Sequence, residues 1–243
     1  MSDGIYDDYD AFARIYDRHW AFFAGAIRPV LDRLALGTLP DGAHVVDLCC
    51  GTGVLAASLC DRFQVTGVDG SAAMIDYART NAPDATFVVA DAREFGVAQP
   101  AAAVVSTFDS LNHVMTIEEL TGVFQHVRDA LMPRGAFVFD LNMEDGYEKR
   151  WHDGPSIADE RDVVVGRSRW DPETGIATID FVLVERADDG ELRRADLTLT
   201  QRCYTEDEIL GALREAGFNE IGMFDGATDL EFAGVGRAFF VAR

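Results

Sequence analysis

Basic side chains are scarce in this sequence. Lys and Arg number 21 against 42 Asp and Glu, a formal net charge of −21 at pH 7. So acidic a chain repels phosphate backbones and anionic lipids, which excludes nucleic acid and membrane surfaces as expected partners. Long apolar runs are missing as well: no stretch approaches the roughly 18 residues of a membrane-spanning helix. Cysteine is rare. The four thiols, Cys49, Cys50, Cys60 and Cys203, lack zinc-ligand spacing, and the adjacent pair cannot easily bridge. His19, His44, His126 and His152 stand in no ligand pattern, so no metal is expected. The opening MSDGIYDDYD is acidic, without the basic start of a secretory signal. The expectation is a reduced, cytoplasmic protein with a small-molecule partner, monomeric or homodimeric.

What is present is alternation. Hydrophobic residues make up 48% of the chain, enough for a proper core. Residues 8–37 carry Phe12, Ile15, Tyr16, Trp20, Phe23, Ile27, Val30, Leu31 and Leu34 at helical spacing, predicting one or two helices that end at Gly37. Strand-like HVVDL, QVTGVD, ATFVVAD, AAAVVSTF and GAFVFDL then alternate with helical TGVLAASLCDRF, SAAMIDYARTN and TIEELTGVFQHVRDALM. Ser71 is placed as an N-cap, Thr116 and Glu119 as a capping box, and Pro133 as the stop of the last helix. Continuous apolar strands between amphipathic helices predict an α/β fold, a mostly parallel sheet covered on both faces. From about Trp151 the texture changes. RDVVVGRSRWD, GIATIDFVLVERA and ELRRADLTLTQRCY follow one another with only turns between them, which predicts a small antiparallel meander inserted after the fifth strand. A second capping box, Thr205 to Glu208, opens the next helix. NEIGMFDG and GRAFFVAR end the chain as strands joined by a turn. The expected organisation is an N-terminal helical arm over 1–40, a cofactor-binding core over 41–150, a lid over 151–204, and completion of the core over 205–243.

Chemistry concentrates where VVDLCCGTGVLA turns from strand to helix. Such a turn aims backbone N–H groups and a positive helix end at a ligand, and Gly51 and Gly53 keep Cβ atoms away from it. Asp69, ending the second strand, stands where a carboxylate accepts from both hydroxyls of a ribose. These residues alone indicate an adenosine-containing cofactor and leave NAD and S-adenosylmethionine both open. Three features separate them. Asp47, close before the turn, would repel a pyrophosphate but suits an ammonium and a sulfonium. Asp91 can accept from an adenine amino group while the N–H of Ala92 serves the ring. No second large domain is present for a hydride acceptor.

With these motifs in order the chain resembles the class I S-adenosylmethionine-dependent methyltransferases. VVDLCCGTG is similar to their first motif, VTGVDGS to the second, VVADAR to the third and LMPRGAFVFDL to the strand signature after the active-site loop. The likeness is ordered over residues 40–141, and the arm and C-terminal strands extend it to most of the chain. Cys49 departs from the family pattern, standing where its first glycine usually is. STFDSLNHV and the long meander resemble the small-molecule branch, which includes amino-sugar N-methyltransferases. The resemblance implies a Rossmann-like seven-stranded sheet with arm and meander closing over S-adenosylmethionine. It implies cofactor contacts at Tyr16, Asp47, Cys49, Gly51, Gly53, Asp69, Gly70, Met74, Asp91, Ala92 and Thr107.

FDSLNHV leaves the fourth strand at the sheet edge where ligands of open α/β folds bind. His113, which titrates near neutrality, is the candidate base for an amine acceptor. Tyr9, Trp20, Asp109 and Asn112 are candidate substrate contacts, and Arg202 is the candidate for an anionic substrate group. The expected function is methyl transfer to a small molecule, more at nitrogen than at oxygen. An O-methyltransferase and a non-catalytic cofactor-binding module are the alternatives.

Overall fold

The apolar runs pair into one seven-stranded sheet, seen in a computed structural model that describes residues 5–187, 190–232 and 234–243. Its parallel strands are β1 (His44–Leu48), β2 (Gln64–Asp69), β3 (Thr86–Val89), β4 (Ala101–Ser106) and β5 (Leu131–Asn142). A second sheet holds β6 (Ser156–Ala158), β7 (Asp162–Asp171), β8 (Ile176–Arg186) and β9 (Leu192–Arg202), antiparallel throughout. β10 (Ile221–Asp225) and β11 (Arg237–Ala242) complete the first sheet, in the order β10-β11-β5-β4-β1-β2-β3. β11 pairs antiparallel with both of its neighbours. The Rossmann-like sheet and the added meander are as expected.

The helices are α1 (Ile5–His19), α2 (Phe22–Leu34), α3 (Val54–Leu59), α4 (Ala72–Asn81), α5 (Ile117–Ala130), α6 (Glu144–Arg150) and α7 (Glu206–Glu215). Strand alternation sorts the core into two layers. Val46, Val104, Phe137 and Phe139 face α5 and α7, whereas Val45, Val105 and Val138 face α2 and α3. Phe124, Phe137, Phe139, Phe218 and Phe240 are fully buried, each stabilising by about 1.5–3 kcal/mol relative to exposure. Among the described residues no helix is long and apolar enough to cross a membrane.

Caps behave as their residue types dictate. Ser71 accepts from Met74 N–H at 3.1 Å, and Thr205 with Glu208 forms a complete capping box. Three local expectations are corrected. α5 ends at Ala130, and Leu131 already pairs in β5. Pro133 sits in the irregular step between the Ala101 and Ala103 pairings, beside Arg134 at φ 68°, which is where a strand tolerates proline. The meander has a fourth strand, β6, preceded by α6, whose seven residues lack a side-chain N-cap signal. β10 and β11 are joined by the loop 226–236 rather than by a tight turn.

Candidate active site

A cavity of about 540 Å³ opens over the C-terminal tips of the parallel strands, between the large sheet, the small sheet and α1. Its volume lies in the usual range for a small-molecule site. One end is built by β1, β2 and β3. After Leu48 the chain turns through Cys49, Gly51 and Gly53, all at positive φ (60°, 51° and 77°), so that α3 points its N-terminus at the cavity. Asp69 accepts from Gly51 N–H and Ser71 N–H, each at 2.9 Å. Burial raises its pKa, opposed by the N–H groups of Ser71, Gly51 and Gly70. Two oxygens engaged by one backbone donor apiece keep further lone pairs for a ligand hydroxyl. Cys49, Gly51, Asp69, Gly70, Met74, Asp91 and Ala92 all line the cavity.

Asp91 is shared. Arg93 donates to it from Nε and Nη2 (2.6 Å for the latter) and from its backbone, and Glu119 holds the other side of Arg93 at 2.9 Å. Burial pushes the Asp91 carboxyl up, but the Arg93 bonds outweigh it and the net shift is downward. Asp47 lies beneath the turn, 2% exposed, with Oδ2 bonded to nothing among the described residues. Burial, and next the nearby Asp69, push its carboxyl up to about 8. Such an orphaned buried oxygen fits a site made to receive a cation. Asp47, Gly53 and Thr107 are not among the cavity-lining residues, which corrects the direct contacts expected of them. At Gly53 the reason is packing: a Cβ there would lie 2.8 Å from that of Ala78 on α4. Thr107 is buried and gives its carbonyl to Ser110 Oγ at 2.9 Å.

The arm supplies an aromatic wall. Tyr6, Tyr9, Phe12 and Tyr16 line the cavity from one face of α1, and Trp20 from the turn that follows it. Phe12 stacks on Phe181 of β8 (5.4 Å between centroids), and Tyr16 lies against Gly51. An ionic latch holds arm to lid: Arg18 donates to both Asp162 oxygens at 2.6 and 2.7 Å, Arg14 meets Glu185 at 2.7 Å, and His19 meets Asp162 at 2.8 Å. His19, Asp159 and Asp162 stand close enough for a metal ion, but both Asp162 oxygens are already taken by Arg18.

The opposite end is built by the tips of β4, β5 and β11 with β9 of the lid. His113 Nδ1 lies 2.8 Å from Thr200 O, a carbonyl that can only accept, so Nδ1 carries the proton and Nε2 the lone pair. Tyr9 Oη (3.0 Å) and Gln201 Nε2 (3.4 Å) approach that Nε2. Burial lowers the His113 pKa below the ordinary 6.5, with Asp109 pulling the other way. The ring is therefore neutral at pH 7. Asp109 lines the cavity and is gripped by Arg237 and by Gln201 Nε2, the latter at 2.6 Å. Arg237, 5% exposed, also pairs with Asp140, which accepts the N–H groups of Phe108 and Asp109.

Two expected substrate contacts are corrected. Asn112 is fully buried, and its amide bonds Asn142 O, Arg202 O and Asn142 N–H, so it pins the loop to β5 and β9. Arg202 turns away to Glu208 (2.9 Å) and Met115 O, lies over the Tyr204 ring and does not line the cavity. From β9 the cavity is lined by Thr198, Leu199, Thr200 and Gln201 instead. An amide ending an apolar row was the available signal for Gln201. Arg237, Arg150, Trp151, Tyr6 and Phe12 line the cavity without having been anticipated as site residues. Only topology brings the two arginines there.

Residues 45–135 match the family described as Methyltransferase domain. The chain is similar to the putative methyltransferase YqeM of Bacillus subtilis, 27% identical with 97% of this chain and 96% of that protein aligned. It is also similar to the dTDP-3-amino-3,4,6-trideoxy-alpha-D-glucopyranose N,N-dimethyltransferase of Streptomyces venezuelae, 30% identical over 55% of this chain. That match spans 56% of the curated relative's length. Among solved structures, it shares its fold with CalS10, an amino pentose methyltransferase from Micromonospora echinaspora solved with S-adenosylmethionine bound. The TM-score is 0.70 at 24% identity, with 90% of each chain covered.

Proposed function

We propose that this protein, an S-adenosylmethionine-dependent methyltransferase, passes the methyl group to an amine nitrogen of a small molecule. The observation that carries the nitrogen reading is the wall position of His113, with Nδ1–H fixed on Thr200 O and the Nε2 lone pair turned to Tyr9 and Gln201. The sugar N,N-dimethyltransferase among the relatives points the same way.

The cofactor, when bound, supplies a methyl group on a positively charged sulfur. Asp69 would hold its ribose hydroxyls, Asp91 and Ala92 its adenine, and the bare backbone at Gly51 its amino-acid part. Tyr16 and the other rings of α1 exclude water and offer π faces that attract a cation. An amine attacks only as the free base. The neutral His113 ring can take the amine proton at Nε2, and the Asp109 carboxylate stabilises the imidazolium that forms. Arm and lid, clamped through Arg18 and Asp162, hold the acceptor against the reacting centre, where fixed geometry lowers the barrier.

The test is a panel of small amines and matched alcohols with labelled cofactor, products read by mass spectrometry. Amines should be methylated and alcohols not. At saturating amine, rates should rise with pH through a pKa below 6.5. His113→Ala should lower the rate about 100-fold at pH 7 while titration shows cofactor binding retained. Methylation of alcohols alone would refute the nitrogen assignment, and an unchanged rate in His113→Ala would refute the base.

A further inference from the structure

Among the described residues three guanidiniums line the cavity: Arg93, Arg150 and Arg237. Two are neutralised in place, Arg93 by Asp91 and Glu119, and Arg237 by Asp109 and Asp140. Arg150 differs. Its Nε donates to Val235 O and its Nη2 to Asn142 Oδ1, both at 2.8 Å, and no described carboxylate lies within ion-pair distance. Asp109, the acid whose charge acts on it, already gives one oxygen to Arg237 and the other to Gln201. In a chain with twice as many acids as bases, a cavity arginine held only by neutral acceptors calls for an explanation.

Its position is built rather than incidental. A Cβ at Gly146 would stand 2.8 Å from Arg150 Nη2 and 2.6 Å from Gly236 O, so glycine there lets the guanidinium and the 234–236 loop close on α6. Arg150 itself is exposed, so its guanidinium is open to a ligand; partial desolvation by its neighbours, and next the charge of Arg237, lowers its pKa, with Asp109 opposing.

Strand order says which ligand it would meet. The carboxylates that suit adenosine stand at the tips of β2 and β3. Asn142, where Arg150 is anchored, ends β5, and Arg237 begins β11. Four strand steps separate β2 from β11, about 19 Å at roughly 4.8 Å per step. The turn after β1 and the His113 loop after β4 lie between. Arg150 is thus beyond His113 from the cofactor end, with Trp151 and Gln201 lining the same end of the cavity.

We infer that Arg150 is an anion subsite for the acceptor: the amine substrate carries an anionic oxygen group, a carboxylate or a phosphate, on the side away from its nucleophile. A guanidinium presents paired N–H donors that match such groups and keeps its charge throughout the working pH range. This rests on the amine reading above and specifies the substrate class.

The test uses four probes with the full-length protein: β-alanine, 2-aminoethylphosphonate, the neutral β-alaninamide and propylamine. Binding to protein saturated with S-adenosylhomocysteine is followed by calorimetric titration, and methyl transfer is followed in parallel. The acidic probes should bind at least tenfold tighter than the neutral ones. Arg150→Ala should bring that ratio near one, and Arg150→Lys should retain part of it, with the S-adenosylhomocysteine affinity unmoved in both. The carboxylate and phosphonate arms tell which anion is preferred. Equal binding of charged and neutral probes, or a preference that survives Arg150→Ala, overturns the inference. Absence of transfer to every amine fails the amine reading instead, and the binding ratio still decides on Arg150.

Discussion

Two carboxylates at opposite ends of the cavity, Asp69 and Asp109, are held by different means. At the β2 tip Asp69 is satisfied by backbone N–H groups, from residues 2 and 18 positions away in the chain. At the β4 and β5 tips Asp109 and Asp140 share one guanidinium, that of Arg237, 128 and 97 positions away. A backbone donor is fixed by the fold and cannot withdraw, so the acid it holds can serve a ligand with its remaining lone pairs. Side-chain partners hold one another. Removing one strands the rest in a site where water cannot replace it. The first end is a grip made to be used; the second is a rigid wall behind the acceptor.

Breaking the wall should produce the largest effect. In Asp140→Ala, Arg237 keeps one acid of two, and the N–H groups of Phe108 and Asp109 lose their acceptor. The expected loss of unfolding free energy is about 3–5 kcal/mol by urea titration. Asp69→Ala should cost less stability and act on the cofactor, weakening S-adenosylhomocysteine binding by about 1–3 kcal/mol in calorimetry. If Asp69→Ala proves the more destabilising of the two and spares cofactor affinity, the contrast between grip and wall is wrong.

The same contrast explains how much was legible beforehand. The Rossmann-like sheet followed from alternating periodicity, and VVDLCCGTG with Asp69 pointed to the cofactor because the donors of that end lie near one another in the chain. Cys49, Gly51, Gly70, Met74, Asp91 and Ala92, all named from that local pattern, line the cavity. At the other end, His113 and Asp109 could be suspected from one polar loop, but their partners could not. Thr200, Gln201 and Arg237 reach them through strand order, and no local pattern encodes that β11 inserts between β5 and β10. Arg202 was singled out with Thr198 and Thr200; those two line the cavity, whereas Arg202 turns to Glu208. Asn112 looked like a ligand contact because it is polar in an apolar neighbourhood, and its buried bonds to β5 and β9 backbone account for that equally well.

Titration sharpens the comparison within the cofactor end, where Asp69 is satisfied and Asp47 is not. With its folded pKa near 8 against an ordinary 3.8, Asp47 keeps a proton in the native state that the unfolded chain has already released between those values. Its contribution to stability is therefore full below pH 3.8 and falls as pH rises through 8. Asp47→Asn removes the titrating group. The Tm difference between variant and wild type should grow from pH 5 to pH 8.5 in the variant's favour, by on the order of 10 °C, from the ~4 kcal/mol that a carboxyl titrating near 8 loses between pH 5 and 8. A ligand ammonium above the turn favours the ionised carboxylate. Wild-type affinity for S-adenosylhomocysteine should then tighten with rising pH across the same window, and the Asn variant should lose that slope. Parallel Tm curves for the two proteins would mean that Asp47 is already ionised and compensated, and a pH slope that survives in the variant would place the counter-ion elsewhere.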